Sequence, residues 1–401
     1  MDSFKHEKVK VAIVAPEKLP VPPTSGGAVE FVIYEQAKLL SKYYNISVVS
    51  KPGDTTHNEK FSFLNINDSF ANKICEKIIQ KASSNNPIRI LAKLYNVVTY
   101  SMKVAIKLNN KYKIIYIHND PNFIPIIKLF NSKSKIVLHM HNDHFNRYKF
   151  LHSHYQMVLN NTDKLICVSK YIKNQICENY NISEEKITVV LNGVDTHLFK
   201  RYSLRERNLL RNKYNVWDRR ILLYVGRLNY DKGVHVIISA LKILDRSDCV
   251  LIIAGSSWFK NGLKNKYTED LINNSKDLKD QIIFTGYITG KDLYVLYSSA
   301  DIFICPSIWK DPSPLVLYEA LASQIPIICT RTGGSSEIIK DGRTGILIRP
   351  NNPIELANTI KRLLNNRKLS NNLANAGRKY SLTNYTWSKH AHKIVTILKE
   401  I

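Results

Sequence analysis

Short, continuously apolar segments alternate along the whole chain with helix-length amphipathic segments. Strands that are apolar on both faces and separated by helices are typical of parallel sheets covered on both sides. The alternation restarts after residue 200, so it predicts an α/β fold of two doubly wound domains. A single (β/α)-barrel has about eight units, fewer than the strands found here. The predicted strands are 9–16, 46–50, 113–118, 135–141, 164–169, 187–192, 220–226, 249–255, 281–286, 301–307, 325–330 and 345–348.

The length of 401 residues also suggests two domains. We predict an N-terminal domain over 1–200 and a C-terminal domain over 201–386, with the boundary near Asn192–Arg205. Long helical patterns lie at 87–110 and 147–161, and residues 200–213 predict a linker running into a surface helix. The helix after Trp387 is expected to pack away from the end of the second sheet, whose strand pattern is already complete.

Charge and composition limit the possible partners. The net charge of +25 implies anionic partners, namely nucleic acid, an acidic membrane surface or phosphorylated small molecules. Residues 1–200 hold 27 Lys/Arg against 16 Asp/Glu, so the excess is spread over both halves and no polybasic block favours nucleic acid. No apolar run approaches a membrane span, and the N-terminus lacks a signal-peptide pattern. Six scattered cysteines without C-x-x-C spacing indicate buried thiols in a soluble protein of a reducing compartment.

Two familiar motifs are missing from the sequence. It contains no G-x-G, which excludes the dinucleotide fingerprint and argues against a Walker loop. It also contains no Asp-x-Asp, the carboxylate pair with which metal-dependent sugar transferases hold a nucleotide diphosphate. Because ligands of doubly wound folds bind at the carboxyl ends of the strands, the residues that follow each strand are the candidates for an anion-binding site.

The segment 306–323 is the strongest candidate. Asp311 lies in the loop after a strand, and Glu319 lies eight residues later in the following helix. Ser313 and Pro314 predict the helix start, with Ser313 as N-cap and Pro314 at the first helical position. The free N–H groups of the next two residues would then form an anion site of diphosphate type. These two residues are Leu315 and Val316.

Other strand ends carry residues that suit the same ligand. Gly226, Arg227 and Lys232 follow one strand, and cations there suit a leaving diphosphate. Taken alone, each of these residues would more often be an ordinary surface or structural residue. Only their occurrence together favours a ligand-binding site. The other members of the set are Gly333 and Gly334 after a later strand, Gly26 and Gly27 near the first strand, and His141 at another strand end.

In their order along the chain these residues resemble the family-four retaining glycosyltransferases of GT-B fold, closest to spore-coat-type and polysaccharide-modifying bacterial members. The resemblance implies two facing Rossmann-like domains with an inter-domain cleft. It also implies an N-terminal acceptor domain, a C-terminal nucleotide-sugar domain, a last helix (387–401) that crosses back onto the first domain, and neither metal nor cofactor. The matching segments are SGG at 25–27, His141, 167–172, 191–199, 226–233, 284–288, 306–320, 332–347 and 385–387.

The resemblance also implies roles for single residues. Asp311 would bind hydroxyls of the donor sugar, and Glu319 would accept hydrogen bonds from the ribose. The diphosphate would be bound by Arg227, Lys232 and Gly27. A sugar hydroxyl or the acceptor would be bound by His141, and the nucleotide base by Tyr287 and Ile288. Two departures put the identity of the sugar in doubt: Asp311 replaces the family's usual Glu, and Ser313–Pro314 replaces its Phe-Gly pair.

We therefore expect a cytoplasmic, metal-independent hexosyltransferase that uses a nucleotide-diphosphate sugar, with UDP as the favoured nucleotide. The expected acceptor is a glycan, a lipid-linked molecule or another component of the cell envelope or spore surface. Peripheral contact with an anionic membrane is an expected partner interaction, and nucleic acid is not. A nucleotide-sugar 2-epimerase of the same fold and a non-catalytic glycan-binding relative stay open. A glycosidase using Asp311 and Glu319 leaves the cations and the Gly-Gly loops unexplained.

Overall fold

The computed structural model describes residues 7–23, 26–53, 59–83, 86–146, 151–256 and 266–401. The chain divides into two compact units. The first consists of Met1–Val190 together with His390–Ile401, and the second consists of Leu191–Lys389.

The first unit is built on a seven-stranded parallel sheet with strand order β3-β2-β1-β4-β5-β6-β7. Its strands are β1 Lys10–Val14, β2 Asn45–Ser50, β3 Ser62–Asn65, β4 Ile114–His118, β5 Lys135–Met140, β6 Lys164–Cys167 and β7 Ile187–Val189. Its helices are α1 Ala28–Leu40, α2 Phe70–Lys81, α3 Pro87–Leu108, α4 Ile124–Phe130, α5 His152–Asn160 and α6 Lys170–Cys177.

The six predicted strands of this unit are confirmed, and one strand was missed. The missed strand, β3, lies at the edge of the sheet and pairs only with β2 among the described residues. Its side chains are exposed or half-buried, so it lacks the continuous apolar run that marks the inner strands. The helical pattern at 87–110 is α3. The pattern at 147–161 is α5 in its second part, and residues 147–150 lie outside the described residues.

The second unit contains a six-stranded parallel sheet with strand order β10-β9-β8-β11-β12-β13. Its strands are β8 Arg220–Val225, β9 Cys249–Ala254, β10 Ile282–Gly286, β11 Ile302–Cys305, β12 Ile327–Thr330 and β13 Ile346–Ile348. All six were predicted. Its helices are α7 Leu204–Lys213, α8 Val234–Leu244, α9 Lys266–Asn274, α10 Gly290–Ser299, α11 Leu315–Ala322, α12 Ser335–Ile338, α13 Pro353–Asn365 and α14 Arg367–Asn384.

The division between the units falls at Val190–Leu191, beside the predicted boundary region Asn192–Arg205. Residues 191–200, assigned to the N-terminal domain from the sequence, belong to the second unit. Val194 and Phe199 are buried in its core, and the Arg378 guanidinium donates hydrogen bonds to the carbonyls of Phe199 (2.7 Å) and Thr196 (3.0 Å). The last helix, α15 (Trp387–Lys399), buries Ile394, Val395, Ile397 and Leu398 in the core of the first unit.

The strand orders identify where each unit can bind a ligand. In doubly wound sheets a crevice opens at the carboxyl ends of two adjacent strands whose following connections leave in opposite directions. In the first unit these strands are β1 and β4, and in the second they are β8 and β11. The predicted site residues follow these strands or their neighbours.

Candidate functional site

In the second unit, the loops after β8, β11 and β12 are bonded to one another through their backbones. The Asp231 carbonyl, in the short 3₁₀ turn Tyr230–Lys232, accepts a hydrogen bond from the N–H of Ile308 (2.9 Å). The Asp311 carbonyl in turn accepts from the N–H of Gly334 (2.9 Å). The three loops, distant in sequence, therefore form one connected surface at the carboxyl edge of the sheet.

Two glycines allow this close approach. Gly233 has φ +73°, and a Cβ atom there would lie 2.1 Å from the carbonyl oxygen of Pro306. Gly333 has φ +50°, and its Cβ would lie 2.2 Å from the carbonyl oxygen of Asp311. Any side chain at either position would push the loops apart, and L-residues also disfavour this left-handed backbone.

This packing brings Lys232 and Asp311 into direct contact. The Lys232 ammonium lies 2.5 Å from a carboxylate oxygen of Asp311, and the two side chains are 18% and 11% exposed. The same ammonium lies 5.3 Å from the centre of the Trp309 ring, within cation–π range. Two residues predicted separately, a phosphate-binding cation and a sugar-binding carboxylate, thus form one ion pair at the edge of the sheet.

Arg227 lies on the same strand-end loop as Lys232, but its side chain is exposed. Among the described residues no carboxylate lies within ion-pair distance of its guanidinium. Its backbone is held in place, since the Tyr224 hydroxyl donates to the Arg227 carbonyl (2.7 Å) and Gly226 lies against the Tyr224 ring. The arginine is therefore a fixed, solvent-facing cation beside the ion pair.

The prediction for the start of α11 is wrong by one residue. The helix begins at Leu315 with Pro314, not Ser313, as N-cap, and no side chain caps it. The Ser313 hydroxyl is engaged elsewhere, since it shares a hydrogen bond with the Tyr318 hydroxyl (2.9 Å) and accepts one from the Asn192 amide (3.2 Å). The first helical N–H groups remain those of Leu315 and Val316.

Glu319 is held at the side of α11 by a tyrosine. The Tyr297 hydroxyl of α10 donates to its carboxylate (2.7 Å). Burial raises the pKa of Glu319 to about 7, and the tyrosine hydrogen bond offsets only part of that shift. Glu319 is thus a hydrogen-bonding carboxyl poised between its acid and its carboxylate near neutral pH.

The predicted base-binding residues follow β10. Tyr287 is 41% exposed, whereas Ile288 is half-buried and packs against the core of the second unit. An exposed ring and two backbone groups on a strand-end loop can contact a flat, polar ligand such as a nucleobase.

In the first unit, Gly26 and Gly27 directly precede α1, and Ser25 lies outside the described residues. Gly27 is the N-cap of α1, and its carbonyl accepts a hydrogen bond from the N–H of Phe31 (3.0 Å). The carboxylate of Glu30, in the first turn of α1, lies against Gly27 and is buried. Burial raises the pKa of Glu30. Sequence reasoning did not select this residue.

His141 follows β5 and belongs to a buried histidine cluster. Its Nε2 lies 2.9 Å from Nδ1 of His118, and its ring stacks on that of His139 at 4.2 Å between centres. The Tyr116 hydroxyl shares a hydrogen bond of 2.7 Å with Nδ1 of His139, and the Gln36 amide lies 2.7 Å from Nε2 of His390. The ring of His390, on α15, stacks loosely on that of His139 at 6.3 Å.

The low pKa values of His118, His139 and His141 keep these three rings neutral at physiological pH. Burial lowers the pKa of His141 to about 3 and those of His118 and His139 well below the ordinary value, and charge repulsion within the cluster adds to the effect. Among the described residues, these three are also the one group of His, Cys, Asp or Glu with ligand atoms all within 4.8 Å. The hydrogen bonds above occupy one ring nitrogen of each histidine, whereas Nε2 of His118 and Nε2 of His139 are buried without a partner in the part of the chain that the structure describes, and the group contains no carboxylate.

Two models of protein families match this chain, one over each of its halves. The family model "Glycosyl transferases group 1" matches residues 206–380, and the model "Glycosyltransferase Family 4" matches residues 25–198. The chain belongs to the GT-B glycosyltransferases of group 1 and family 4. Every strand of both sheets except β1 lies inside the matched ranges, and so do the glycine-bearing loops and the α11 segment.

Individual relatives cover almost the whole chain of this glycosyltransferase. Spore coat protein SA of Bacillus subtilis is 26% identical over 98% of this chain and all of its own length. The lipopolysaccharide 1,2-N-acetylglucosaminetransferase of Salmonella typhimurium is 26% identical over 94% of this chain and 95% of its own. The crystal structure of Anabaena HepE superposes with a TM-score of 0.79 at 18% identity, covering 98% of this chain and 100% of that one. These relatives confirm the predicted fold and the glycosyltransferase family.

Most of the histidine cluster was not predicted from the sequence. A signal was available for His118, because it ends the strand 113–118 just as His141 follows the strand 135–140. His139 faces the same side as His141 because they are two residues apart in extended chain. His390 lies some 250 residues later, and only the packing of α15 brings it to the same place.

The neutral histidines should make this glycosyltransferase sensitive to acid. A histidine whose pKa is depressed in the folded state stays neutral while the unfolded chain takes up a proton below about pH 6.5, so stability falls as pH falls. Replacing His139 by Gln removes one such site. The loss of unfolding free energy between pH 7 and pH 5.5 should then be about 1 kcal/mol smaller than in the parent.

Urea unfolding at the two pH values measures this difference directly. The variant is compared with the parent because Glu319, with its raised pKa, acts in the opposite direction and is common to both. His392→Gln, at an exposed position of the same helix as His390, is the matched control and should keep the parent's pH dependence. An identical pH dependence for His139→Gln and the parent would show that His139 is not held neutral.

Proposed function

We propose that this glycosyltransferase moves a hexosyl unit from a nucleotide-diphosphate sugar, with UDP as the nucleotide, and that it retains the configuration of the anomeric carbon. The observation that carries the proposal is the Lys232–Asp311 ion pair beside Arg227, on three loops that meet through glycines. The Anabaena neighbour of this fold is solved with UDP and with UDP-glucose, which supports the choice of nucleotide.

The ion pair suggests how the donor is received. A diphosphate carries more charge than one carboxylate, and Lys232 presents three N–H donors. When the diphosphate arrives, the ammonium can turn toward it and release the Asp311 oxygens, which then accept hydrogen bonds from sugar hydroxyls. The exposed Arg227 adds a second cation with forked donors. The cations and the N-terminus of α11 stabilise the charge that develops on the departing diphosphate.

The remaining donor contacts follow from the surroundings of the pair. Glu319 accepts hydrogen bonds from the ribose hydroxyls, and donor binding draws it toward its carboxylate form. Tyr287 and Ile288 contact the base. The roles expected of Gly26, Gly27 and His141, all in the first unit, stay predictions.

The acceptor we propose is a glycan or a lipid-linked molecule of the cell envelope or spore surface. The names of the Bacillus and Salmonella relatives, a spore coat protein and a lipopolysaccharide transferase, support this class. Peripheral contact with an anionic membrane at the inner face is part of the proposal, and the net charge of +25 supports it. Transfer needs no metal in this proposal, because Lys232, Arg227 and backbone N–H groups take the place of a cation.

The proposal is tested on slow transfer of the sugar to water, which needs no knowledge of the acceptor. A thermal-shift panel of UDP-, GDP-, dTDP- and ADP-sugars first identifies the donor, because a ligand that binds the folded state raises its melting temperature. Proton NMR of the reaction with that donor should show the α-sugar as the first product from an α-linked donor, with the same rate in EDTA.

Three outcomes would contradict parts of the proposal. The β-sugar as first product means inversion of the anomeric carbon. A 2-epimer of the donor sugar means that the protein is a nucleotide-sugar 2-epimerase. Loss of turnover in EDTA with recovery in manganese means that a metal holds the diphosphate.

A further inference from the structure

In its first three turns, residues 88–98, helix α3 carries most of its large apolar side chains on the outside of the first unit. Six of them are between 40% and 64% exposed, although residues of these types are usually buried. Their positions fall within about half of the helix circumference at 100° per residue, so they form one continuous face. We call this face the outer stripe of α3. It consists of Ile88, Ile90, Leu91, Leu94, Tyr95 and Val98.

The opposite face of the same helical segment is small and polar. Ala92 and Asn96 are buried there, and the Asn96 side chain accepts a hydrogen bond from Asn72 of α2 (3.0 Å). The Asn72 amide also donates to the Thr99 hydroxyl (2.7 Å). These bonds fix the rotation of α3, so the outer stripe faces solvent because its polar side is used for packing.

Helix α2 adds cations and two more exposed apolar residues. Phe70 is 80% exposed and Ile74 is 44% exposed. Three exposed lysines lie on the same face of α2 as these two residues, three, seven and eleven positions after Phe70 and each four positions from the next. They are Lys73, Lys77 and Lys81.

The net positive charge of helices α2 and α3, a helical hairpin, is complementary to an anionic lipid bilayer. Residues 70–108 hold seven Lys or Arg and a single Glu. Exposed Ile, Leu and Tyr beside lysines are typical of helices that lie in the plane of an anionic bilayer, with the apolar side chains among the acyl chains. Among the described residues, no helix is long and apolar enough to cross a membrane. The exposed apolar side chains and the lysines suit a contact in the plane of the membrane interface.

We propose that the outer stripe of α3 and the lysines of α2 dock the glycosyltransferase on an anionic lipid bilayer. A second copy of this chain is a poorer occupant, because two such hairpins would bring two sets of lysines together. This inference deepens the proposed function by locating its membrane contact. It does not depend on the identity of the donor, because lipid binding is measured without any nucleotide.

The test is flotation of the full-length protein with lipid vesicles. Vesicles of phosphatidylcholine with about one third phosphatidylglycerol should carry the protein to the top of a density gradient, and pure phosphatidylcholine should carry much less. The double variant Leu91→Glu/Leu94→Glu places two charges in the outer stripe, and its partition coefficient should fall at least tenfold. Leu209→Glu is the matched control, since Leu209 is 62% exposed on α7 of the second unit, and it should float like the parent.

The lysines are tested separately. Replacing Lys73, Lys77 and Lys81 together by Ser should lower partitioning to anionic vesicles by about fivefold or more per lysine that contacts the headgroups, with no change on neutral vesicles. Equal flotation of the parent and both variants would overturn the proposal. Loss of a dimer in the Leu91→Glu/Leu94→Glu variant, measured by sedimentation without lipid, would assign the stripe to a second copy instead.

Failure of this proposal and failure of the proposed function are distinguishable. If the stripe variant keeps the parent's donor turnover in water but no longer floats, the membrane surface is separate from the donor site. If the parent does not float on anionic vesicles yet turns over the donor, the membrane inference is wrong and the transferase proposal stands.

Discussion

Lys232→Ala should lower turnover of the donor sugar by about two orders of magnitude or more. In the proposed reaction the Lys232 ammonium stabilises negative charge on the departing diphosphate, and removing one such group typically costs a hundredfold or more in turnover. Binding of the free nucleoside diphosphate should weaken less than turnover falls, because Arg227 and the backbone N–H groups of α11 remain. Steady-state kinetics with the donor from the thermal-shift panel, together with calorimetric titration of the nucleotide, separate the two effects.

The ion pair also gives this substitution a cost in stability. Lys232→Ala leaves the Asp311 carboxylate, which is only 11% exposed, without its cation. Because an unpaired buried charge is unfavourable, the free energy of unfolding should fall by up to about 3 kcal/mol. The double variant Lys232→Ala/Asp311→Asn removes both charges and should recover much of the stability while staying inactive. A double variant that recovers turnover would show that Lys232 acts only by pairing with Asp311.

A matched control separates a catalytic cation from any broken ion pair. Lys242 of α8 forms an ion pair of 2.8 Å with Asp277, and both side chains are well exposed. Exposed pairs contribute about 1 kcal/mol or less. Lys242→Ala should therefore keep both the parent's turnover and its stability. A comparable loss of turnover in this variant would mean that general charge, and not the position of Lys232, governs the reaction.

The fold could be predicted from the sequence because its inner strands are buried on both faces. Segments such as 221–225 and 249–254 are continuously apolar for that reason, and each predicted strand appears in the structure. The edge strand β3 lacks this pattern because its side chains are at most half-buried. Residues 191–200 have no regular periodicity, so the sequence placed the domain boundary only within a region. The burial of Phe199 and the hydrogen bond from Arg378 join these residues to the second unit.

The candidate site was only partly predictable. Strand ends and glycines identified the loops that meet, since the carboxyl ends of parallel strands lie at one edge of the sheet. The direct contact of Lys232 with Asp311 could not be derived, because sequence spacing does not fix where a side chain points across 79 residues of chain. The capping role of Ser313 was wrong for a similar reason. Its hydroxyl has a better partner in Tyr318, one turn into the helix, than in the helix N-terminus.

The second large effect is expected at Asp311, the carboxylate that pairs with Lys232. Asp311→Asn keeps the shape of the side chain but replaces two anionic acceptor oxygens by one neutral acceptor and an N–H₂ donor. Charge-assisted hydrogen bonds to sugar hydroxyls are roughly twice as strong as neutral ones, so transfer should fall steeply. Binding of the free nucleoside diphosphate should not weaken, because the substitution removes a carboxylate that competes with the diphosphate for Lys232.

Asp311→Glu is the sharper experiment because it keeps the charge and lengthens the side chain by one methylene. The longer side chain has to fit beside Lys232 and Trp309. If the short carboxylate is matched to the native sugar, the Glu variant should lose activity on the native donor and gain activity on another sugar of the same nucleotide. The donor panel used for the parent measures both changes.

Asp292→Asn is the control for both substitutions at Asp311. Asp292 forms an ion pair of 2.6 Å with Lys213, and both side chains are more than half exposed. Its amide variant should keep the parent's transfer rate and sugar preference. If Asp311→Asn and Asp311→Glu also transfer the native sugar like the parent, Asp311 does not contact the donor. Its pair with Lys232 then serves only to hold the loops after β8 and β11 together, and the choice of sugar must be made by residues outside this pair.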